Sequence, residues 1–243
     1  MGHMDKSLIL AIETSGRTGS VAVGTGDTML AEGALSGHLR HGSELFDCCQ
    51  RLFRYIGKKA ADVNEIYISS GPGSFTGVRI ATTVAKVFSL ANGAKIVGVS
   101  TMDTIFANAI THIGNDHNIP SRIAVMLDAK RGQFYVASYV SSGGTWAKDV
   151  ADCLITEEGF IGSITPAPNE TVWLLGEGLV YYRDRFQIEG VRILDEQYWY
   201  PRAANVYRLG RAKAMQGCFD DPAIMLPRYL RQAEAIKKRD LAV

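Results

Sequence analysis

The stretch LILAIETSGRTGSVAVGTGDTMLAEGA, at residues 8–34, decides the fold. It contains three short apolar runs, at residues 8–12, 21–24 and 29–34, and the turns between them are rich in glycine and threonine. Short apolar runs separated by such turns predict a three-stranded meander. A doubly wound nucleotide-binding chain would alternate strand and helix from its beginning. The meander therefore counts against a single doubly wound sheet, which is our second interpretation of the fold.

The hydrophobic spacing changes after the meander and indicates helices alternating with strands. Leu45, Cys49, Leu52 and Ile56 recur every three or four residues, which is the spacing of one helical face. The elements predicted next are a strand at 66–68, a helix at 75–91, a strand at 96–99 and a helix at 102–110. The first half is therefore predicted as three strands, a helix, a strand and a helix.

The same order is predicted again in the second half, although the two halves share no visible sequence similarity. It begins with an apolar run at residues 123–127 and ends with a helical pattern at residues 203–215. Two lobes built from one such unit define the actin-like architecture of ATPases and sugar kinases. We therefore predict a duplicated actin-like α/β fold, each lobe a mixed sheet with helices. The lobes are predicted at residues 4–103 and 104–243, and the last helix and the tail can pack back on the first lobe.

In an actin-like fold, the turn after the first strand of each lobe faces the cleft between the lobes. Here these turns carry Glu13, Thr14 and Ser15 in the first half and Asp128 in the second. Carboxylates at such positions can organise a metal–nucleotide complex, so these residues are the candidate cleft or nucleotide site. The turns lack a clear paired-glycine pattern for phosphate, and we predict weak or no ATP hydrolysis by the chain alone.

The segment GPGSFTGVRI at residues 71–80 follows one predicted strand and opens the next helix. A glycine-rich turn there can bring backbone amides to an anion, but the segment has neither the lysine of a Walker loop nor the spacing of a dinucleotide fingerprint. We therefore favour a tight structural turn with Ser74 as the N-cap of the helix. The helix is apolar on every side, which is typical of a core helix or of one covered by another protein. Both interpretations stay open.

Composition limits the classes of function. The chain has 243 residues, 47% of them hydrophobic, and a formal net charge of +1. This balance indicates no overall nucleic-acid surface, although a local basic patch is compatible with it. The segment PRYLR at residues 227–231 combines basic residues with an aromatic and can contact phosphates. We interpret the residues beyond it as a solvated tail.

No apolar run in the sequence is long enough to cross a bilayer, and charges at Asp5 and Lys6 argue against a signal peptide. We therefore predict a cytoplasmic protein without a membrane partner. The metal-binding residues are also poorly spaced. Two residues separate His38 from His41, four separate His112 from His117, and the four cysteines form no CxxC pair. We predict that the isolated chain carries no stoichiometric zinc or iron.

Taken together, the motifs resemble those of the TsaB family. LAIETS at residues 10–15 is similar to its opening apolar strand and Asp-Thr-Ser, and GPGSFTGVRI is its full signature. Weaker matches are HGSEL at 41–45, VST at 99–101, DAKRGQFY at 128–135, GEG at 176–178 and PRYLR at 227–231. The departures are Glu13 in place of the usual Asp, Gly42 inside the His-Ser segment, and Lys130 where Arg is common. They put details of the cleft and of the first helix in doubt, not the resemblance.

The resemblance implies a scaffold and activator subunit that has no catalysis of its own. In that family the subunit binds TsaD, which transfers a threonylcarbamoyl group to adenosine 37 of tRNAs reading codons that begin with A. The resemblance also implies a TsaE-like ATPase partner, a homodimer when TsaD is absent, and contact with tRNA only through the complex. It implies no cofactor of the chain's own and leaves ATP to the assembled complex. The His-x-x-x-His pair that holds the metal in TsaD is absent from this sequence.

The resemblance places the partner surface on the two N-terminal helices, because family members pair their lobes side by side through helices in these positions. An apolar helix surface too large for one lobe to cover supports the same interpretation. The predicted partner-binding residues are His41, Leu45, Cys49, Leu52, Phe75, Arg79 and Val84.

An active actin-like ATPase or sugar kinase is the alternative function. It would use Glu13 or Asp128 to organise magnesium and would need phosphate-binding turns from both lobes. A metalloprotease is the least favoured interpretation, because the spacing of the histidines does not match that class.

Overall fold

The structure is a computed structural model that describes residues 7–35, 41–114, 119–168 and 170–231. Within these ranges, ten strands form two five-stranded sheets. The first sheet contains β1 (Leu8–Glu13), β2 (Ser20–Thr25), β3 (Thr28–Ala34), β4 (Val63–Gly71) and β5 (Lys95–Ser100). The second contains β6 (Arg122–Asp128), β7 (Gln133–Ser142), β8 (Thr145–Thr156), β9 (Val172–Leu175) and β10 (Val191–Ile193).

The two sheets have the same strand order. The first is ordered β3-β2-β1-β4-β5 and the second β8-β7-β6-β9-β10. In each sheet the first three strands form an antiparallel meander, and the fourth and fifth strands run parallel to the first. This duplication confirms the predicted actin-like two-lobe fold, and the single doubly wound sheet is wrong.

Six α-helices lie within the described residues, in positions close to the predicted ones. They are α1 (His41–Tyr55), α2 (Phe75–Asn92), α3 (Thr101–Ile113), α4 (Glu157–Ile164), α5 (Leu179–Tyr182) and α6 (Ala203–Met215). α5 continues directly into a 3₁₀ helix, Arg183–Phe186. Ser74 caps α2 by accepting a hydrogen bond from the Gly77 amide at 3.2 Å, as predicted from the sequence.

The core of the first lobe has two layers, one on each face of its sheet. Leu10 and Ile12 pack in a cluster with α1 and α2, whereas Ile9 and Ala11 pack in a second cluster with α6. Successive strand residues point to opposite faces, so a strand that is apolar at every position must be covered on both sides. α6 supplies the second cover, although it follows the second sheet in the chain.

α3 and α6 lie at the junction between the two sheets. The Asn205 side-chain amide donates to the Thr104 carbonyl at 3.0 Å and to Asn108 Oδ1 at 2.7 Å. Both asparagines are buried, so these bonds satisfy polar groups that water does not reach. The predicted lobe boundary between residues 103 and 104 lies inside α3, which packs in the core of the second lobe, and the boundary stays a prediction.

A membrane-spanning helix would need more apolar length than any helix has in the described residues.

Candidate functional site

The first residues of the turn after β1 are buried and do not line the cleft cavity. Glu13 is fully buried, and its carboxylate accepts from the Ser15 amide at 2.5 Å, the Ser15 hydroxyl at 2.6 Å, the Gly16 amide at 3.3 Å and the Ser69 hydroxyl. All four donors are neutral. Burial raises the pKa of Glu13 above its ordinary value, and the hydrogen bonds from Ser15 and Ser69 oppose the rise. The carboxylate is thus engaged by the protein itself.

Thr14 and Ser15, also predicted for the cleft, lie under the glycine-rich loop. The Thr14 hydroxyl donates to the Gly77 carbonyl at 2.8 Å, and the Ser15 carbonyl accepts from the Ser74 amide at 2.7 Å. A Cβ on Gly77 would lie 1.7 Å from the Thr14 carbonyl oxygen, and one on Gly73 would lie 2.4 Å from that of Ser15. Glycines in the loop therefore permit close packing of two backbone segments. A nucleotide role for these residues stays a prediction.

The equivalent turn after β6 lines the cleft. Asp128 accepts from the Lys130 amide at 2.7 Å and from Lys130 Nζ at 2.6 Å. Lys130 and Arg131 have φ values of 64° and 60°, and Gly132 has 67°, so three consecutive residues adopt the left-handed conformation. This turn presents charged side chains to the space between the lobes.

A cavity of about 420 Å³ separates the two turns. Its lining comes from both lobes and includes Gly16, Arg17, Ser74, Phe75, Asp128, Lys130, Tyr135, Glu177 and Tyr181. Glu177 is the carboxylate that the sequence interpretation missed. Its Oε2 accepts from the Arg17 amide at 2.9 Å, which joins the lobes, and burial raises its pKa to about 7. The only sequence signal was its place between the glycines of GEG, at residues 176–178.

A second cavity, of about 700 Å³, lies between α1 and α2. Its floor is apolar and includes Cys49, Phe53, Val84 and Phe88. We call it the α1–α2 groove. Phe46, Val87 and Leu90 lie on the outer surface of these helices, 62%, 56% and 90% exposed, and the first two line the groove. Arg54, Lys58 and Lys59 form a basic end.

The structure corrects which residues of these helices face outward. Leu45 and Leu52 are buried in the first-lobe core, and Cys49 and Val84, almost equally buried, form the groove floor. The reason is that the sheet covers the helical stripe that the periodicity detected, which leaves the neighbouring stripe of Phe46 exposed. α1 begins at His41, whose side chain lies outside the described part of the chain. The partner-binding role of the surface stays a prediction.

Phe75 and Arg79 lie apart from the groove, at the start of α2, against residues 227–231, which we call the C-terminal strap. The Arg79 guanidinium lies 3.7 Å from the centre of the Phe75 ring, and its Nε donates to the Tyr229 hydroxyl at 2.8 Å. The Phe75 and Tyr229 rings are 5.1 Å apart. These two predicted partner residues therefore hold the strap on the first lobe.

The strap also reaches the second lobe. The Arg228 amide donates to the Ser70 carbonyl at 2.7 Å, and its guanidinium bonds to Asp152 of β8 at 2.8 Å. Asp152, with a fully buried carboxylate, also accepts from the Ser100 hydroxyl and from Lys148 Nζ, each at 2.6 Å. Ser100 ends β5 and caps α3. One buried carboxylate therefore joins the first sheet, the second sheet and the strap.

No group of three or more His, Cys, Asp or Glu side chains is arranged to hold a metal ion in the part of the chain that the structure describes. His112 packs against the rings of Trp173 and Tyr198. His38 and His117 lie outside the described residues. The predicted lack of a stoichiometric metal stays a prediction.

The chain is therefore a two-lobed protein of the actin-like class. Its cleft cavity and its α1–α2 groove lie at different places on the molecule. A family model described as "TsaD: tRNA N6-adenosine threonylcarbamoyltransferase" matches residues 37–237. The chain belongs to the family that this model describes, and its full-length similarity to TsaB proteins confirms the resemblance to TsaB.

Two relatives and one solved structure illustrate the relationship. The chain is 28% identical to the tRNA threonylcarbamoyladenosine biosynthesis protein TsaB of Bacillus subtilis (strain 168), over 95% of this chain and 96% of the relative. It is 27% identical to the protein of the same name from Escherichia coli (strain K12), over 95% and 97%. YeaZ from Pseudomonas aeruginosa has the same fold, with a TM-score of 0.76 and 24% identity over 92% of this chain and 100% of that one.

Proposed function

We propose that the chain is a non-catalytic subunit of tRNA threonylcarbamoyladenosine biosynthesis that binds and activates a TsaD-like transferase. The biosynthetic assignment is supported by the names of the two full-length relatives. The chain has no His-x-x-x-His pair, so we assign the transfer to adenosine 37 of tRNAs reading A-starting codons to the partner. A TsaE-like ATPase and ATP belong to the assembled complex, and tRNA is engaged only there.

The observation that carries the proposal is the exposed apolar surface along the α1–α2 groove. Phe46 and Val87 line the groove and are 62% and 56% exposed, and Leu90 of the same helix pair is 90% exposed. Exposed apolar patches of this kind mark interaction sites. In the absence of the partner, the same surface can pair with a second copy by two-fold symmetry. Lys58 and Lys59 at one end favour a partner with acidic residues beside its apolar ones.

Burial of Glu13 supports the non-catalytic part of the proposal. An actin-like ATPase needs a cleft carboxylate that reaches the metal–nucleotide complex. Glu13 is fully buried and already accepts four hydrogen bonds, so the first lobe offers no such group at this position. We expect little or no ATP turnover by the purified chain. Turnover in the ordinary enzyme range that Asp128→Asn abolishes would favour the ATPase or sugar-kinase alternative.

The partner surface is tested with Phe46→Asp and Val87→Asp, because these side chains are exposed in the single chain. A charge buried in an interface without a partner costs several kcal/mol, so we expect each variant to lose at least about 100-fold in affinity for the TsaD-like protein by titration calorimetry. Self-association, measured by sedimentation, should weaken as well. Cys49→Asp and Val84→Asp are unsuitable, because they place the charge at the buried floor of the groove.

Ile224→Asp is the matched control, because Ile224 is an exposed apolar residue outside the groove. It should bind the TsaD-like protein like the wild type. All three variants should melt at temperatures close to that of the parent chain. If Phe46→Asp and Val87→Asp stay folded and bind with unchanged affinity, the groove is not the partner surface.

A further inference from the structure

Aromatic and basic side chains from both lobes and from the C-terminal strap either line the cleft cavity or contact residues that line it. We call this set the aromatic–basic rim, defined by Arg17, Arg79, Lys130, Tyr181, Tyr229 and Arg231. On one side, the Tyr181 ring centre lies 4.9 Å from the Arg17 guanidinium and 5.3 Å from Lys130 Nζ. On the other side, the Tyr229 hydroxyl accepts a hydrogen bond from Arg79. The Phe75 ring packs on Tyr229 and lines the cavity.

The C-terminal strap connects the two sides of the rim, because Tyr229 contacts the first lobe and Arg231 contacts the second. Two residues after Tyr229, the Arg231 guanidinium donates to the Lys130 carbonyl at 3.2 Å and to Gln133 Oε1 at 2.7 Å. The strap is itself held by the bond of Arg228 to the buried carboxylate of Asp152. The rim residues are therefore positioned before any ligand arrives, which lowers the entropic cost of binding.

The rim carries an excess of positive charge. Within the described part of the chain, Arg79 contacts two aromatic side chains and Arg231 contacts a carbonyl and an amide, so neither guanidinium is paired with a carboxylate there. Lys130 is paired with Asp128. Glu177 is close to the rim, but because burial raises its pKa to about 7 it is only partly ionised near neutral pH. The rim is therefore suited to an anionic ligand, although the whole chain is nearly neutral.

The aromatic side chains narrow the class of ligand. Tyr181 and Tyr229 are each about half exposed and lie beside the cations. Tyr181 lines the cavity of about 420 Å³, and Tyr229 packs on Phe75, which also lines it. Cations bind the phosphates of a nucleic acid, and exposed rings stack on unpaired bases, which is the combination used to bind single-stranded RNA. A duplex would offer phosphates but no free base faces to the rings.

We propose that the aromatic–basic rim binds a single-stranded segment of the tRNA substrate, with its cations on phosphates and its rings on unpaired bases. This inference rests on the proposed function, because the RNA is engaged by the assembled complex. The rim is separate from the α1–α2 groove, so a chain bound to its TsaD-like partner through the groove keeps the rim accessible.

The test is the affinity of the reconstituted complex for an RNA stem–loop, measured by fluorescence anisotropy over a series of salt concentrations. The variants Lys130→Gln and Arg231→Gln, combined, should reduce the slope of log affinity against log salt by about 0.7 for each phosphate that is no longer neutralised. Tyr181→Leu should lower the affinity at least about fivefold and leave the slope unchanged. Arg208→Gln removes an exposed arginine of α6 that does not line the cavity, and it should change neither quantity.

Each other result overturns the inference. Unchanged affinity and slope in folded rim variants would show that RNA does not contact the rim. Equal binding of a blunt RNA duplex, or an affinity that Tyr181→Leu does not alter, would show that bases do not stack there. Failure of the proposed function is recognised separately, because in that case the chain does not bind the TsaD-like protein at all, whereas the rim variants should bind it normally.

Discussion

The turns after β1 and β6 occupy the same place in two lobes of identical strand order, yet they differ in the burial of the carboxylate, in its partners and in backbone conformation. The first buries Glu13 completely and surrounds it with neutral hydrogen-bond donors. The second places Asp128 beside the cavity, pairs it with a lysine, and holds two non-glycine residues in the left-handed conformation. The two lobes therefore share their strand order, but not the conformation or the chemistry of this turn.

The difference follows from what packs against each turn. The glycine-rich loop presses on the first turn so closely that Gly77 has no room for a Cβ beside the Thr14 carbonyl. A carboxylate beneath that contact cannot reach water, so it is satisfied by protein donors. The loop after β9 packs less tightly on the second turn: a Cβ on Gly178 would lie 3.2 Å from the Asp128 amide nitrogen, and Gly132, in the second turn, has open space around it. We infer that the carboxylate of the first turn stabilises the fold and that the carboxylate of the second turn faces ligands.

The comparison is tested most strongly by removing each carboxylate. Glu13→Ala leaves several buried donors without an acceptor, at about 1–3 kcal/mol each, and we expect a loss of at least about 3 kcal/mol in unfolding free energy. Asp128→Ala leaves the Lys130 amide and Nζ without their acceptor, but water can reach both groups through the cavity. We therefore expect a loss of about 1 kcal/mol in unfolding free energy. Urea denaturation of both variants measures the two values.

Equal losses for the two variants would contradict the proposed division between a structural turn and a ligand-facing turn. Ser163→Ala in α4, remote from both turns, serves as a reference for the removal of a single hydroxyl hydrogen bond, with an expected loss of about 1 kcal/mol.

Glu177, which accepts a hydrogen bond from the Arg17 amide of the first turn, should make stability depend on pH. Burial raises its folded-state pKa to about 7 from an ordinary value of 4.5. The folded state therefore binds the proton more tightly than the unfolded state does, so the favourable contribution is complete below pH 4.5 and is lost as the pH rises through about 7. Its size is up to roughly 3 kcal/mol. We expect the unfolding free energy to fall between these pH values.

Glu177→Gln removes the titration and should flatten this part of the stability curve, so the variant should exceed the parent in stability on the alkaline side. Glu170→Gln, a substitution at an exposed carboxylate, should leave the curve unchanged. A parent chain whose stability is constant across this interval, measured by denaturation at a series of pH values, would contradict the burial argument.

Most of the fold could be predicted from the sequence, because the apolar spacing that indicates each strand and helix involves residues close together in the chain. The meander at residues 8–34 and the helical spacing before Ile56 depend on neighbours in the chain, and both were confirmed. The N-cap at Ser74 is equally local. The packing of α6 on the first sheet is a long-range contact that no local pattern of the sequence specifies.

The candidate site was less predictable, because orientation and burial are decided by tertiary packing. Periodicity found the apolar stripe of α1, but the stripe that contains Leu45 faces the sheet, and the exposed residue is Phe46. Glu177 gave no signal beyond its two glycine neighbours. The aromatic–basic rim joins residues separated by up to 214 positions, from Arg17 to Arg231, and their proximity follows only from the closed fold.

The smallest effect concerns the backbone of the second turn. Lys130 has a φ of 64°, a conformation that disfavours residues with a Cβ by about 1 kcal/mol relative to glycine. Lys130→Ala keeps that strain and loses the exposed ion pair to Asp128, so we expect it to be about 0.5 kcal/mol less stable than the parent. Lys130→Gly loses the same ion pair but removes the strain. It should therefore be at least as stable as the parent and about 1 kcal/mol more stable than Lys130→Ala by urea denaturation. Alanine and glycine variants of equal stability would mean that the turn relaxes to a negative φ, and the ligand-facing turn would then lack the fixed conformation that positions Lys130 on the rim.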